Sequence, residues 1–174
     1  MTPPFVVEPL GGSHDRCGFT CGAEPLDRYF RQQVTQDIRR RIANCFVAVD
    51  AAGVLAGYDT LSAAGLPMTD LPAEEAKRLP RYPLLPACLI GRLTVATAAA
   101  GQGLGAALVG DAVSRAMRAE PAIFALLVDA KDAAAAGFYA HLGCRPLASR
   151  ERGFYLPVAE VARRLATAQQ ASGR

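Results

Sequence analysis

The sequence predicts one mixed α/β domain over residues 1–174, and three observations support this prediction. The length and a hydrophobic content of 51% are sufficient for one core of ordinary size. Apolar residues follow a helical spacing in some segments and form short β-prone runs in others. No linker-like stretch and no internal repeat divides the chain. The predicted order is helix, two strands, loop, strand, helix, strand, helix, a short strand pair and a helical tail.

The first half of the chain is predicted to form a helix, a hairpin and a third strand. Residues 24–43 form the helix, because apolar side chains recur there at every fourth position: Leu26, Phe30, Val34, Ile38 and Ile42. Two β-prone runs, at 45–49 and 54–61, flank a short Asp/Gly turn and predict an antiparallel hairpin. Five prolines and a charged run predict a loop with one short helix at 65–87. Residues 88–95 lack alternation, as expected of a strand buried on both faces.

The second half alternates helices and strands. A long helix follows Gly105, and its predicted apolar stripe consists of Val109, Ala112, Val113, Ala116 and Met117. Gly143 is placed to end the next helix, because glycine is frequent just after helix C-termini. The remaining elements are a buried strand, an alanine-rich helix, two short strands and a terminal helix, at 123–128, 131–142, near 145–149, near 153–157 and near 158–168.

The charge balance excludes an acidic disordered protein and does not require a polyanionic partner. There are 19 basic and 16 acidic residues, which gives a net charge of +3. Arginine outnumbers lysine 17 to 2. Where the basic groups cluster, they therefore favour planar, bidentate contacts to phosphate or carboxylate.

The targeting and cysteine features favour a cytoplasmic protein. The N-terminus has no basic n-region and its apolar run stops at Glu8, so a signal peptide is not expected. The most apolar stretch, at 83–91, is interrupted by prolines and is too short to span a bilayer. The five irregularly spaced cysteines are expected to be reduced. His14, Cys17 and Cys21 lack a fourth ligand at a zinc spacing, so no metal site is expected.

Three alternate glycines, Gly101, Gly103 and Gly105, stand between a predicted strand and a predicted helix. Glycines let backbone N–H groups approach a ligand closely, and a helix N-terminus adds partial positive charge, so the loop can hold a diphosphate. A glycine-rich turn without a ligand is the alternative interpretation of this motif taken alone.

Two nucleotide-binding interpretations of the glycine segment fit less well. A P-loop requires Gly-Lys-Ser/Thr, whereas Ala-Ala-Leu follows Gly105. A dinucleotide fold remains open, because Gly101, Gly103 and Ala106 fit G-x-G-x-x-A. Against it, five residues separate the strand from the motif, and the acidic residue expected about 20 positions later is Glu120, at a helix end.

Coenzyme A is the third phosphate ligand considered, and here the sequence resembles the GNAT acetyltransferase superfamily. That family has a loop of the form Q/R-x-x-G-x-G/A, which Ala100-Gly-Gln-Gly-Leu-Gly105 matches except for alanine at the first position. Because most phosphate contacts there come from backbone amides, the departure predicts reduced affinity at worst. Ile90-Gly-Arg-Leu-Thr-Val95 resembles the family's fourth strand. Asp129-Ala-Lys-Asp132 and Phe138-Tyr139-Ala-His-Leu-Gly143 resemble the end of its fifth strand and the following helix.

The resemblance implies the family's fold and its acetyl-CoA site. The fold is a mixed, mostly antiparallel sheet flanked by helices, with a splayed fourth and fifth strand pair that holds coenzyme A. The implied coenzyme-binding residues come from the fourth strand, the glycine loop, the fifth strand end and the helix after it: Leu93, Thr94, Val95, Ala100, Gly101, Gln102, Gly103, Leu104, Gly105, Ala106, Asp129, Lys131, Ala135 and Phe138.

The chemistry of acetyl transfer assigns a role to Tyr139, since the family commonly places this tyrosine beside the coenzyme sulfur. An amine attacks the thioester carbonyl, an oxyanion develops and a thiolate leaves, so the phenol of Tyr139 is a candidate acid for the sulfur. Backbone N–H groups of 88–95 are candidates to hold the oxyanion. The alternative is a tyrosine that packs on the sheet with its hydroxyl in water. No general base is assigned, because Asp59, Glu74 and Glu75 are expected at solvated-loop or strand-edge positions.

Over residues 17–157 the chain also resembles the GNAT toxins of toxin–antitoxin modules. Members of that group acetylate the amino group of aminoacyl-tRNA and are held inactive by a ribbon–helix–helix antitoxin, which implies the same substrate and partner here. This acceptor is consistent with the lack of an assigned general base. The ester lowers the pKa of the α-amino group, so the amine is substantially neutral at working pH. The sequence does not decide between a monomer and a homodimer. The likeness is carried by Phe19-Thr-Cys-Gly22, Leu26-Asp27, Tyr29, Gln36-Asp37, Arg39–Arg41, Phe46–Val49, Gly57-Tyr58 and Leu89-Ile-Gly-Arg-Leu93.

Arginine side chains are the predicted tRNA contacts. The candidates are Arg39, Arg40, Arg41 and Arg92, with a wider basic rim of Arg28, Arg31, Lys77, Arg78 and Arg81. A solvated helix face is the alternative, since Asp27 and Asp37 partly neutralise this region. Two other functions stay open, a non-toxic acetyltransferase of a small amine or protein amine and a non-catalytic acyl-CoA-binding module.

Overall fold

A computed structural model of the protein describes residues 4–172. These residues contain seven strands: β1 Phe5–Pro9, β2 Asn44–Asp50, β3 Leu55–Pro67, β4 Leu84–Val95, β5 Ala125–Asp129, β6 Arg145–Pro146 and β7 Gly153–Pro157. They also contain six α-helices: α1 Glu24–Gln32, α2 Val34–Arg39, α3 Ala73–Ala76, α4 Leu104–Arg118, α5 Ala133–His141 and α6 Val158–Ser172. Over this described range, no helix is both long enough and apolar enough to cross a membrane.

The seven strands form one sheet in the order β1-β2-β3-β4-β5-β7-β6. The pairs β1–β2, β2–β3, β5–β7 and β6–β7 are antiparallel, and β4 runs parallel to β5. The hairpin of β2 and β3 carries one register shift, between Ala48 and Val49. The prediction of a mixed, mostly antiparallel sheet flanked by helices is confirmed.

The chain divides into two compact units, and the first comprises the residues up to Ser62 together with Ile90–Ala112. Three aromatic rings form the centre of its core. Phe30 of α1 and Tyr58 of β3 stack with their ring centroids 4.2 Å apart, and Phe19 packs edge-on against both. All three side chains are buried, so this stack fixes α1 against the β2–β3 hairpin.

The second unit comprises Ala63–Leu89 and the residues from Val113 onward. Its core contains Tyr155 of β7, which is fully buried. The Tyr155 hydroxyl donates a hydrogen bond of 2.5 Å to the carboxylate of Glu75, and the Arg145 guanidinium lies 3.4 Å from the same carboxylate. These contacts hold the short helix α3 on the sheet.

The first predicted helix, at 24–43, is two helices in the structure. Gln33 separates α1 from α2, and α2 ends at Arg39. Arg41 then adopts a left-handed conformation with φ +60°. This turn redirects the chain, and Ile42, which was expected in the apolar stripe, is 57% exposed.

The predicted loop at 65–87 is shorter than expected. Strand β3 continues to Pro67 and β4 begins at Leu84, so both strands extend into it. Prolines are tolerated at strand ends, where no ladder hydrogen bond is lost. The one short helix predicted within the loop is confirmed as α3.

Helix α4 buries most of the predicted stripe and two residues that the prediction omitted. Met117, which was expected to be buried, is 44% exposed, whereas Leu104 and Leu108 are buried. The first strand, β1, was not predicted, because its five residues include Glu8 and Pro9. The strands and helices predicted after residue 122 are confirmed, with ends that differ by a few residues.

Candidate active site

The segment between β4 and α4 is shaped by two glycines. Gly101 and Gly103 both have φ +76°, a left-handed conformation that a Cβ disfavours. Gly105 lies in the first turn of α4 and has no such requirement. The Ala107 N–H donates to the Gly103 carbonyl over 3.2 Å, so α4 begins directly after the second left-handed residue.

Six consecutive backbone amides, those of residues 101–106, are available to a ligand. Within the part of the chain that the structure describes, none of them donates a hydrogen bond. They lie at the N-terminus of a 15-residue helix, where the helix dipole adds partial positive charge. This arrangement is suited to an anion such as a diphosphate. Ala100, just before it, is exposed and supplies no side-chain donor.

The last part of β4, residues Leu93, Thr94 and Val95, is half-buried. It lies close to Gly57 of β3: a Cβ built on Gly57 would stand 2.9 Å from the carbonyl oxygen of Thr94. The glycine is therefore required for the approach of these two strands. The Ala96 N–H donates to the Ala56 carbonyl over 2.8 Å and continues the contact beyond the strand end.

Earlier in β4, the backbone N–H of Arg92 donates a 3.0 Å hydrogen bond to the side-chain oxygen of Thr60. Thr60 is 1% exposed. The N–H group of Arg92 is therefore already hydrogen-bonded, and it is no longer a candidate among the strand N–H groups to hold the oxyanion.

In the second unit, Tyr139 lies on α5 and is 6% exposed. Its ring contacts Phe138, at a centroid distance of 5.1 Å, and Phe154 of β7, at 6.3 Å. The helix is fixed at both ends. The Asp132 carboxylate accepts a hydrogen bond from the Ala135 N–H at 2.8 Å, and Gly143 follows the C-terminus with φ +92°. The phenol is thus held on a well-anchored helix.

Two other predicted coenzyme contacts have structural partners. The carboxylate of Asp129, at the end of β5, forms an ion pair of 3.1 Å with Arg150. The carbonyl of Lys131 accepts a 3.2 Å hydrogen bond from Arg152. The Lys131 side chain is exposed, and it adds a positive charge near the end of β5, beside the paired Asp129 and Arg150.

The predicted tRNA-binding arginines fall into two environments. Arg39, Arg40 and Arg41 are exposed at the end of α2, whereas Arg92 is half-buried in β4. The wider rim is partly neutralised, since the Glu24 carboxylate lies within 4.0 Å of Arg28 and Arg31 and Glu74 pairs with Lys77.

The three carboxylates considered as bases occupy unlike positions. Glu74 is exposed and pairs with Lys77, as a solvated loop residue does. Glu75 accepts the Tyr155 hydroxyl, so its carboxylate has a structural role. Asp59 lies within β3 and is fully buried, contrary to the expected strand-edge or loop position. Its charge contributes to a raised pKa of Cys45, after the larger effect of burial.

The fold and the candidate anion site are those expected of an acetyltransferase. The model of the acetyltransferase (GNAT) family matches residues 16–144, more than half of the chain. The protein therefore belongs to the GNAT acetyltransferase family.

Several characterised proteins are similar to this chain. A tRNA-acetylating toxin of Mycobacterium tuberculosis is 29% identical over 134 residues, which are 76% of this chain and 79% of the toxin. AtaT complexed with acetyl-methionyl-tRNAfMet is 26% identical, with a TM-score of 0.82 over 91% of this chain and 97% of AtaT. AtaTR bound with AcCoA is 26% identical, with a TM-score of 0.75 over 91% and 96%. The AtaT–AtaR complex bound to DNA is 25% identical, with a TM-score of 0.70 over 90% and 97%.

Proposed function

We propose that the protein transfers an acetyl group from acetyl-CoA to the α-amino group of aminoacyl-tRNA, and that it acts as a toxin that blocks translation. The observation that carries this proposal is the run of six unoccupied amides at residues 101–106, at the start of α4, in a chain of the GNAT family. The similarity to a tRNA-acetylating toxin and to AtaT with acetylated tRNA supports the choice of acceptor.

Each part of the coenzyme is assigned to the protein groups whose polarity or charge matches it. The amides of 101–106 bind the diphosphate, with no side-chain charge required from Ala100. The half-buried strand segment Leu93–Val95 carries the pantetheine arm through its backbone. Ala135 and Phe138 of α5 supply apolar contacts, and Lys131 supplies a positive charge. The ion pair of Asp129 with Arg150 gives that carboxylate a role in fixing the strand end.

The reaction proceeds by direct attack. The amine nitrogen bonds to the thioester carbonyl carbon, the carbon–sulfur bond breaks, and the phenol of Tyr139 gives its proton to the departing thiolate. The nitrogen releases its extra proton to water. A strand N–H other than that of Arg92 holds the oxyanion. The buried ring contacts of Tyr139 support this role, because they fix the direction of the phenol.

The proposed acceptor, the α-amino group of aminoacyl-tRNA, explains why the reaction requires no general base from the protein. The α-amino group of an aminoacyl ester is neutral in large part near pH 7, so it attacks without prior deprotonation by a carboxylate. Exposed arginines at the end of α2 provide positive charge for tRNA phosphates. We place the protein in the cytoplasm with its substrate, and its proposed partner is a DNA-binding antitoxin of the ribbon–helix–helix kind, consistent with the AtaT–AtaR complex on DNA.

The test uses purified protein, acetyl-labelled coenzyme A and total charged tRNA. We expect label in the aminoacyl-tRNA fraction, and we expect Tyr139→Phe to lower the rate at least tenfold with little change in acetyl-CoA binding. Expression of the wild type should arrest growth, and expression of the variant should not. Acetylation of small amines without any effect on translation would identify a non-toxic acetyltransferase, and coenzyme binding without turnover would identify a binding module.

A further inference from the structure

The guanidinium of Arg92 lies over the ring of Tyr29. The guanidinium carbon is 3.4 Å from the ring centroid. Tyr29 is itself fixed, because the residue is 4% exposed and its hydroxyl donates a 2.8 Å hydrogen bond to the carboxylate of Asp37. An α1 residue and an α2 residue together therefore set the direction of a side chain of β4.

The hydrogen-bond donors of this guanidinium are not used by the protein. In the range 4–172, no carboxylate lies within 4.0 Å of it, and no hydrogen bond from its side chain is present. The half-buried guanidiniums of Arg16 and Arg31, by contrast, donate to the carbonyls of Phe30 and Phe19. A cation–π contact compensates part of the charge of Arg92 but satisfies none of its N–H groups. A fixed, half-buried cation with free donors is suited to an anionic ligand.

The position of Arg92 along β4 indicates which anion it meets. It directly precedes Leu93–Val95, the segment proposed to carry the pantetheine arm, and the hydrogen bond to Thr60 fixes its backbone. A ligand group bound here therefore belongs to a substrate that approaches the acetyl group. In an aminoacyl ester the carboxylate of the amino acid is esterified, so the nearest negative charge to the amine is a phosphodiester of the terminal nucleotides.

We propose that Arg92 binds a phosphodiester at the acceptor end of charged tRNA, and that Tyr29 and Asp37 are positioning residues for it. This inference rests on the proposed function. Arg92 binds the acceptor end of the tRNA through two parallel N–H contacts to one phosphate. Tyr29 keeps the guanidinium plane in one orientation, so that little side-chain entropy is lost when the tRNA binds.

The experiment compares two acceptors with Arg92→Met and Arg92→Lys. One acceptor is methionyl-tRNA, and the other is methionine methyl ester, which has the same amine and no phosphate. For Arg92→Met we expect the KM for methionyl-tRNA to rise about ten- to a hundredfold, as for the loss of hydrogen bonds to a charged group. The kcat, the KM for acetyl-CoA and the rate with the methyl ester should each change less than twofold.

The salt dependence of kcat/KM distinguishes the contribution of the positive charge of Arg92 from that of its planar shape. The slope of log kcat/KM against log salt should be smaller by about 1 for Arg92→Met. Arg92→Lys should keep the wild-type slope and recover part of the affinity, because it keeps the charge and loses the planar fork. Arg118→Met, which removes an exposed arginine at the end of α4, is the matched control and should leave both values unchanged.

The role of Tyr29 is tested with Tyr29→Phe and Tyr29→Leu. The phenylalanine keeps the stacking surface and should raise the KM for methionyl-tRNA less than threefold. The leucine removes that surface and should approach the effect of Arg92→Met. Because Tyr29 is buried, the thermal midpoint of each variant is measured alongside. If Tyr29→Leu does not fold, the Arg92 variants alone decide whether the guanidinium binds the tRNA phosphate.

The possible failures are distinct. If the wild type leaves methionyl-tRNA unmodified, the proposed function is wrong and this inference falls with it. If the wild type acetylates methionyl-tRNA but Arg92→Met slows both acceptors equally, Arg92 has only a structural role. A raised KM for acetyl-CoA in Arg92→Met would assign the anion to the coenzyme diphosphate, and it too would overturn the inference.

Discussion

The backbone N–H of Arg92 and the side-chain hydroxyl of Thr60 are joined by a 3.0 Å hydrogen bond between β4 and β3. A side-chain oxygen of β3 thus accepts a backbone N–H of β4. The bond determines two properties of the site. It withdraws one amide from the groups that could hold an oxyanion, and it fixes the backbone that carries the Arg92 guanidinium.

Replacement of Thr60 by valine is expected to destabilise the protein. Valine has nearly the same shape but no oxygen, so the N–H of Arg92 loses its acceptor in a buried position. We expect the free energy of unfolding to fall by about 1–3 kcal/mol in urea titrations. Thr60→Ser keeps the oxygen and should lose less. Equal losses in the two variants would mean that methyl packing, and not the hydrogen bond, stabilises this position.

Gly57→Ala should impair coenzyme binding through the backbone of β4. The new methyl group would stand 2.9 Å from the Thr94 carbonyl oxygen, and backbone atoms cannot turn aside as a flexible side chain can. We expect a loss of about 1–3 kcal/mol in unfolding free energy and a higher Kd for acetyl-CoA by calorimetry. Gly110→Ala is the control, because its Cβ meets nothing within 4 Å in a helix, and it should be neutral or stabilising.

Alanine at Gly101 or Gly103 should weaken coenzyme binding for a different reason. A Cβ at either position meets no atom within 4 Å, so only the left-handed φ of +76° opposes the substitution. Each change costs about 1–2 kcal/mol in the bound loop geometry, which corresponds to a roughly five- to thirtyfold increase in Kd for acetyl-CoA. Gly18→Ala, in open space at an ordinary φ, should leave the Kd unaltered. An unchanged Kd in both loop variants would contradict the assignment of this anion site.

Arg41→Gly should make the protein more stable and less active. Arg41 has φ +60° at the end of α2, where glycine is the preferred residue, so its replacement should add about 1 kcal/mol to the unfolding free energy. The same change removes an exposed cation and should raise the KM for charged tRNA. Arg40→Gly removes an equal charge from a right-handed position, with φ −79°, and should lower stability. A stability loss in both variants would exclude strain at Arg41.

Alkaline destabilisation should depend on Cys144. Burial raises the pKa of its thiol from 9.0 to about 11. Between these values the unfolded chain releases the thiol proton and the folded chain keeps it, so unfolding becomes easier as the pH rises. The contribution of this thiol to the free energy of unfolding is fully present below pH 9. It falls by about 1.4 kcal/mol for each pH unit between pH 9 and 11. Cys144→Ala, although less stable at pH 7, should show a correspondingly flatter decline between pH 9 and 11 in denaturant titrations; parallel curves would refute this.

The sequence was sufficient for features that are local in the chain. The glycine spacing predicted a candidate anion site, and its two left-handed residues followed by a helix need only neighbouring residues to form. The four-residue periodicity of the first helix was found, but not its break at Gln33 or its end before Ile42. The end of α2 is followed by a left-handed Arg41, a conformation that sequence preferences disfavour.

Features formed between distant segments could not be predicted. Thr60 looks like an ordinary strand residue, and only the paired strands reveal that its hydroxyl accepts the N–H of Arg92. Asp59 is expected at a solvated-loop or strand-edge position, yet it lies within β3 and is fully buried. The stack of Arg92 on Tyr29 joins residues 63 positions apart in sequence.

The proposed anion site of residues 101–106 is made of main-chain groups, and this limits the kinds of substitution that can abolish it. Among randomly mutated variants selected for loss of activity, few should owe that loss to a change in the polarity of a side chain in this segment. Inactive clones should instead carry any larger residue at Gly101 or Gly103, or a proline that deletes a donor. Conversely, Gln102 should accept nearly every amino acid, so tolerance across this short stretch should alternate from one position to the next.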